Sequence, residues 1–183
     1  MLETERLIVR KFLPRDGDSL YEYLSLRETY RFEPGEPVSR TVASALAEKR
    51  SKGNIFYAVE LKSENRLIGH LYFDRAEPEE FLTWELGYIF NPRFHGQGFC
   101  VEASGKLLEH AFAKLKAHRV NAYCNPLNTA SWRVLEKLGM RREGYFRQKA
   151  FFRKDAEGLP IWHDSFAYGI VEDNWRYRGH VQG

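Results

Sequence analysis

The chain has 183 residues, 43% hydrophobic and 15% aromatic, enough for one domain with a sizeable core. Its 28 Lys and Arg residues interleave with 25 Asp and Glu, leaving a formal charge of +3, which argues against nucleic acid as the ligand. No apolar run is long enough to cross a bilayer, MLETERLIVR lacks a signal-peptide pattern, and Cys100 and Cys124 form neither a disulfide framework nor a metal spacing. The expectation is a cytoplasmic protein, 1–183 as a single domain with residues 172–183 as a tail, and no membrane, nucleic acid or metal partner.

RLIVRK (Arg6 to Lys11) predicts a short apolar strand. After Pro14 and Asp16, Ser19 to Leu26 reads as a helix with Leu20, Tyr23 and Leu24 on one side. ETYRFEPGEPV is a loop, and Ser39 caps a second helix running to Lys52. Ile55, Tyr57, Val59 and Leu61 alternate with Phe56, Ala58 and Glu60 as in a strand, and the turn KSEN returns the chain into RLIGHLYFD as a hairpin. Then the order changes to strand (Thr83 to Phe90), helix (Phe99 to Lys116), strand (Val120 to Cys124) and helix (Asn128 to Leu138, closed by Gly139). Crossovers of that length imply a parallel strand pair. In the longer helix Val101, Ser104, Leu108, Ala111 and Leu115 follow the spacing of one buried face. Arg142 to Lys149 and Leu159 to Tyr168 predict two further strands, with Trp162, Phe166 and Tyr168 as core, and Trp132 and Leu138 are core as well. The sum is a mixed α/β domain, antiparallel early and parallel in the middle.

The junction NPRFHGQGFC, residues 91–100, joins a strand to a helix. Helix-start amides and the helix dipole attract an anion, Gly96 and Gly98 allow close backbone approach, and Arg93 adds a cation. A pyrophosphate cradle and a tight turn that needs glycine only for positive φ both fit. A P-loop is excluded because no G-K-[ST] follows. A dinucleotide fold is excluded because the spacing is not G-x-G-x-x-G and no acidic residue closes the next strand.

Arg93-Phe94-His95-Gly96-Gln97-Gly98 resembles the [QR]-x-x-G-x-[GA] loop of the GCN5-related N-acetyltransferases, the GNAT family. TERLIVRKF, WELGYIFNP, HRVNAYCNPLNTASWRVLEKLGM and EGYFR match in order, so the likeness covers essentially the whole chain and points to the branch of ribosomal-protein alanine N-acetyltransferases. The resemblance implies a GNAT fold, a mixed and mostly antiparallel sheet with a splayed central parallel pair, flanked by helices. It implies acetyl transfer from acetyl-CoA, the co-substrate, to a primary amine such as a peptide N-terminus or a small molecule. A non-catalytic acetyl-CoA-binding or sensing module is the alternative, and a homodimer is left open.

The same resemblance assigns the pyrophosphate to Arg93, His95, Gly96, Gln97, Gly98 and Phe99, and the pantetheine arm to backbone groups at Ile89 and Phe90 and to Asn128. Catalysis needs a neutral amine, whose alkylammonium form has a pKa of about 10.4. Glu85 is the candidate base. It shares a strand face with Thr83, Gly87 and Ile89, opposite Trp84, Leu86, Tyr88 and Phe90, and partial desolvation there raises a carboxylate pKa. A glutamate facing solvent or paired with a cation fits the same position. His70 is a second base candidate, with a hydrogen-bonded packing role as its counterpart. Ser131 is the candidate hydrogen-bond donor to the leaving thiolate, or a helix-capping residue. Relatives with a tyrosine in that role carry it where this chain has Leu135. Cys100 lies at a helix start, where a thiol pKa can fall, but the resemblance implies direct transfer, so an acetyl-cysteine route is not expected. His95, His110, His118, His163 and His180 show no metal spacing. The acceptor is expected near ETYRFEPGEPV and the late strands, where Glu33, Glu36, Glu77, Glu79 and Glu80 offer weak attraction to a cation.

Overall fold

The computed structural model describes residues 1–178, and these divide into two compact units. The first comprises Met1–Phe73 and Gly87–Leu107; the second comprises Asp74–Leu86 and the described residues from Leu108 onward.

The first unit begins with β1 (Leu2–Glu3) and β2 (Leu7–Lys11), then α1 (Gly17–Leu24) and α2 (Arg40–Ser51), then β3 (Phe56–Leu61) and most of β4 (Arg66–Arg75). The residues leading into the glycine loop belong to β5 (Thr83–Phe90), and α3 (Phe99–Ala113) starts after it. Here β1, β2, β3 and β4 are antiparallel neighbours in chain order, as the hairpin signal predicts, and β5 follows β4. The Ser39 Oγ accepts a hydrogen bond from the Val42 amide, the cap expected for α2. Phe12, Leu20, Tyr23, Leu24, Ala43, Ala47, Ala58 and Leu67 bury the helix faces in one cluster. Beside it Arg10 grips Asp16 with two hydrogen bonds of 2.8 Å and Glu60 with a third. Both carboxylates are buried, so their charge is matched rather than stranded.

The second unit holds the start of β5, then β6 (Arg119–Cys124), α4 (Thr129–Lys137), β7 (Arg141–Lys154), β8 (Pro160–Val171) and α5 (Glu172–Arg178). The strand order is β5-β6-β8-β7. Thr83, Trp84 and Glu85 pair in parallel with Arg119, Val120 and Asn121, and the other pairings are antiparallel. This is the expected mixed sheet, mostly antiparallel with one parallel pair. Leu108, Ala111, Phe112, Val120, Leu135, Leu138, Tyr168 and Ile170 form the core.

Four expectations need correction. Leu115 lies beyond the end of α3 and is exposed; the buried stripe is Ala103, Ser104, Leu107, Leu108, Ala111 and Phe112, so the apolar face ends one turn early. Trp132 is only half-buried, with the guanidinium groups of Arg133 and Arg142 over its ring. Trp162 is 50% exposed and packs edge-on against Phe151, because β7 and β8 extend well past the core that Tyr168 reaches. Residues 172–178 of the expected tail are helical; its remainder lies outside the described residues. Among the described residues no helix is long and apolar enough to cross a membrane.

Candidate active site

In the first unit the glycine loop is held at both ends. At its entrance Asn91 is buried, and its Oδ1 accepts from the Arg93 amide at 3.1 Å while its Nδ2 donates to Glu22 Oε2 at 3.2 Å. Glu22 is paired in turn with Arg66. The Asn91 amide donates to the Ile68 carbonyl, and the Phe94 amide to the Asn91 carbonyl, both at 2.9 Å. A short 3-10 turn, Pro92–Phe94, then carries Phe94 into the core against Phe99. His95 Nε2 donates to the Phe90 carbonyl at 2.9 Å, tying the loop to the end of β5. Phe90 itself sits over Gly69, where an added Cβ would come within 2.7 Å of its ring. No side chain larger than hydrogen fits there without displacing β5.

At the exit Arg6 donates to the Gln97 carbonyl at 3.1 Å, pairs with Glu102 in the first turn of α3, and lays its guanidinium over Phe99 at 4.4 Å. Between these anchors Gly96 and Gly98 have φ of +75° and +82°, the left-handed region. A Cβ at Gly96 would meet nothing within 4 Å, so the surface above the loop is clear of protein. Arg93, Gln97 and both glycines are exposed. The helical ladder of α3 begins with the Glu102 amide donating to the Gly98 carbonyl, which leaves the preceding amides without intrahelical acceptors. Positive φ and open approach hold together here, so the two readings of the glycines coexist. A cation, unused helix-start amides and a clear surface fit a pyrophosphate.

In the second unit Glu85 is half-buried on β5, with Trp84 and Leu86 buried on the opposite face. Partial burial raises its carboxyl pKa above the ordinary range; the Lys149 ammonium pulls it down and Asp74 pushes it up again. This is the environment expected of a base, and Lys149 is the cation near it. Asn128 and Ser131 are also brought together: the Asn128 Oδ1 accepts from the Ser131 amide at 3.2 Å and so caps α4. The capping role thus falls to Asn128, and Ser131 is not needed for it. Leu135 is buried in the core.

The remaining candidates are placed differently. His70 is 2% exposed, shares a 2.7 Å hydrogen bond with the Tyr23 hydroxyl, and is ringed by Phe12, Tyr23 and Phe56. Burial holds its pKa well below the usual value. It is a buried, hydrogen-bonded packing residue. Cys100 is not activated by its position: burial pushes its thiol pKa up, so the helix start does not make it reactive. Glu33 is half-buried, and enclosure of its carboxyl raises the pKa to about 7. Among the described residues no group of three or more His, Cys, Asp and Glu is placed to hold a metal; His180 lies outside them. Asn91, Glu22, Arg6 and Glu102 escaped the sequence reading. Their only signal was the position of the Asn-Pro and Thr-Glu-Arg-Leu segments within the matched blocks.

The acetyltransferase (GNAT) domain matches residues 6–141, running through both units. An uncharacterized N-acetyltransferase of Bacillus subtilis, YnaD, is 35% identical over 95% of this chain and 98% of its own. The crystal structure of a GNAT-family acetyltransferase from Bacillus anthracis superposes with a TM-score of 0.85 at 33% identity, covering 94% of this chain and 98% of that one. The alanine N-acetyltransferase of ribosomal protein uS5 from Escherichia coli is 25% identical over 95% of this chain and 92% of its own. The chain therefore belongs to the GNAT acetyltransferase family. It is an N-acetyltransferase, a family in which an acetyl group passes to an amine, and a purely sensing role is not favoured.

Proposed function

We propose that this enzyme transfers the acetyl group of acetyl-CoA directly to a primary amine, with Glu85 as base and the 93–99 loop as the coenzyme anchor. The observation that carries the reading is the glycine loop. It has two left-handed glycines, Gly96 with open space above it and Gly98 beside the Arg6 guanidinium, an exposed Arg93, and anchors at Asn91 and Arg6 that fix its shape before any ligand arrives. When bound, acetyl-CoA supplies an activated thioester acyl group.

The chain's residues then divide the work. Helix-start amides at Gly98 and Phe99, with Arg93, hold the pyrophosphate oxygens. His95 braces the Phe90 carbonyl, so its ring shapes the loop. Backbone groups of Ile89 and Phe90 and the Asn128 side chain orient the pantetheine arm. Glu85 takes the proton from the incoming ammonium, directly or through one water, and its raised pKa makes it a better acceptor than an exposed glutamate. The Ser131 hydroxyl donates a hydrogen bond to the departing thiolate, which leaves with modest help because thiols ionise near about 8.5.

The test combines calorimetry with acetyl-CoA and a thiol-release assay over a panel of peptide N-termini, polyamines, aminoglycosides and small metabolite amines. Binding of acetyl-CoA, together with CoA release that depends on one amine class, is expected. Absence of acetyl-CoA binding overturns the loop assignment. Binding with no amine-dependent release overturns the catalytic one.

A further inference from the structure

Resting on the acetyl-transfer reading, a second site can be read from the face of the second unit that carries Glu85. Lys149 places its Nζ 3.2 Å from the centroid of the Tyr123 ring and 5.1 Å from that of Phe146. The two rings stand 6.5 Å apart at 51°. An ammonium between two aromatic faces is the arrangement that binds alkylammonium ions.

The sheet is built to make this recess. Tyr123 on β6 is opposite Ala167 on β8, and Ala167 is opposite Gly144 on β7. One small residue, Ala167, therefore separates Tyr123 from β7, where the facing residue is Gly144, and the Phe146 ring leans over Gly144, where an added Cβ would lie 3.9 Å from it. Between Phe146 and Ala150 the β7–β8 register slips. Gln148 takes a left-handed φ of +49° there and its amide donates to Asp164 at 2.8 Å. Such a bulge re-aims the side chains it carries, and here it accompanies Lys149 over the rings. Glu85 is the register partner of Asn121, so it shares a face with Tyr123 two residues further along β6. It attracts the same ammonium. Tyr123 and Phe146 are 40% and 46% exposed, so the recess is open to solvent.

We infer that Tyr123, Phe146 and Glu85 form the receiving site for the alkylammonium group of the acceptor, and that the Lys149 side chain holds this place until the acceptor displaces it. The acceptor class is then a primary amine on a flexible alkyl arm, presented as a cation. A neutral arylamine has no charge for the rings to bind. Lys149 is exposed on β7, and its removal frees the two rings.

The probe is n-butyltrimethylammonium, which mimics a lysine side-chain cation and cannot be acetylated, measured by calorimetry against folded protein. Weak binding to the wild type, binding about fivefold or more tighter to Lys149→Met, and about tenfold weaker to Tyr123→Leu are expected from the strength of a single cation–ring interaction. Phe146→Leu serves in place of Tyr123→Leu if that variant melts early. Equal affinity in wild type and Lys149→Met, undiminished affinity in both ring variants, or no binding to any of the proteins overturns the inference. Acetyl-CoA titrated into the same samples keeps the two readings apart: its failure to bind indicts the acetyl-transfer reading, whereas failure of the ammonium alone indicts the recess.

Discussion

The glycine loop and the β6–β8–β7 face are built by opposite means. At the loop the proposed working groups are backbone amides, and the side chains around them, Asn91, Glu22, Arg6 and Glu102, hold that backbone in one shape. On the other face the proposed working groups are side chains, Glu85 from β5, Tyr123 from β6 and Phe146 and Lys149 from β7, set by strand register and a bulge. A site made of backbone leaves glycines at fixed spacing in the sequence. A site made of side chains from separate strands leaves no local trace.

That contrast can be broken most sharply at Glu85. Glu85→Gln is expected to lower kcat by about a hundredfold, within the range for general acid–base groups, with acetyl-CoA affinity unchanged by calorimetry. In the wild type the base works deprotonated. Turnover should therefore fall as pH drops through a pKa raised above the ordinary glutamate range, and this acidic limb should vanish in the variant. A fully active variant removes Glu85 from the chemistry.

Gly98→Val should weaken acetyl-CoA binding by about tenfold or more, since a β-branched residue at φ +82° costs about 1 to 3 kcal/mol of strain. Unchanged affinity means the loop is only a turn. A smaller effect is expected for Asn91→Ala. Losing its two side-chain hydrogen bonds, at about 1 kcal/mol each, should raise the KM for acetyl-CoA several-fold while the KM for the amine stays constant. Equal changes in both would make Asn91 a general stability residue.

Glu33 tests the acidic loop with the mildest effect. Its folded pKa of about 7 lies above the ordinary 4.5, so between those values the folded state holds a proton that the unfolded state has released. Stability then declines as pH rises through that window, and above it the charged, enclosed carboxylate is a net cost. Glu33→Gln should raise Tm at pH 8 by about 2–4 °C, the shift expected for about 1 kcal/mol in a chain of this size, and should flatten the pH dependence between those two values. A lower Tm at pH 8 would mean that the carboxylate has a stabilising partner.

Strand β5, the α2 cap at Ser39, the parallel pairing and the glycine loop were legible because each rests on a local rule: alternation, a capping side chain, crossover length, glycine at a strand-to-helix turn. Trp132 and Trp162 were misread because hydrophobicity reports what a residue tolerates. Whether it is covered depends on how far the neighbouring strands extend. For His70 the hydrogen-bonded packing role holds rather than the base role, and for Cys100 the helix start does not decide reactivity, because burial dominates the pKa of each.

The sequence by itself determined the element order, the mixed sheet and the glycine-bearing strand-to-helix turn at 91–100, because backbone conformation there is dictated by residues adjacent in the chain. Only the tertiary structure decided that Asn91 braces that loop through Glu22 and that Asn128 rather than Ser131 caps α4. It alone placed a lysine from β7 over a tyrosine from β6. Those contacts depend on strand register and on which carboxylates and rings lose their water, and neither quantity is written in any short stretch of residues.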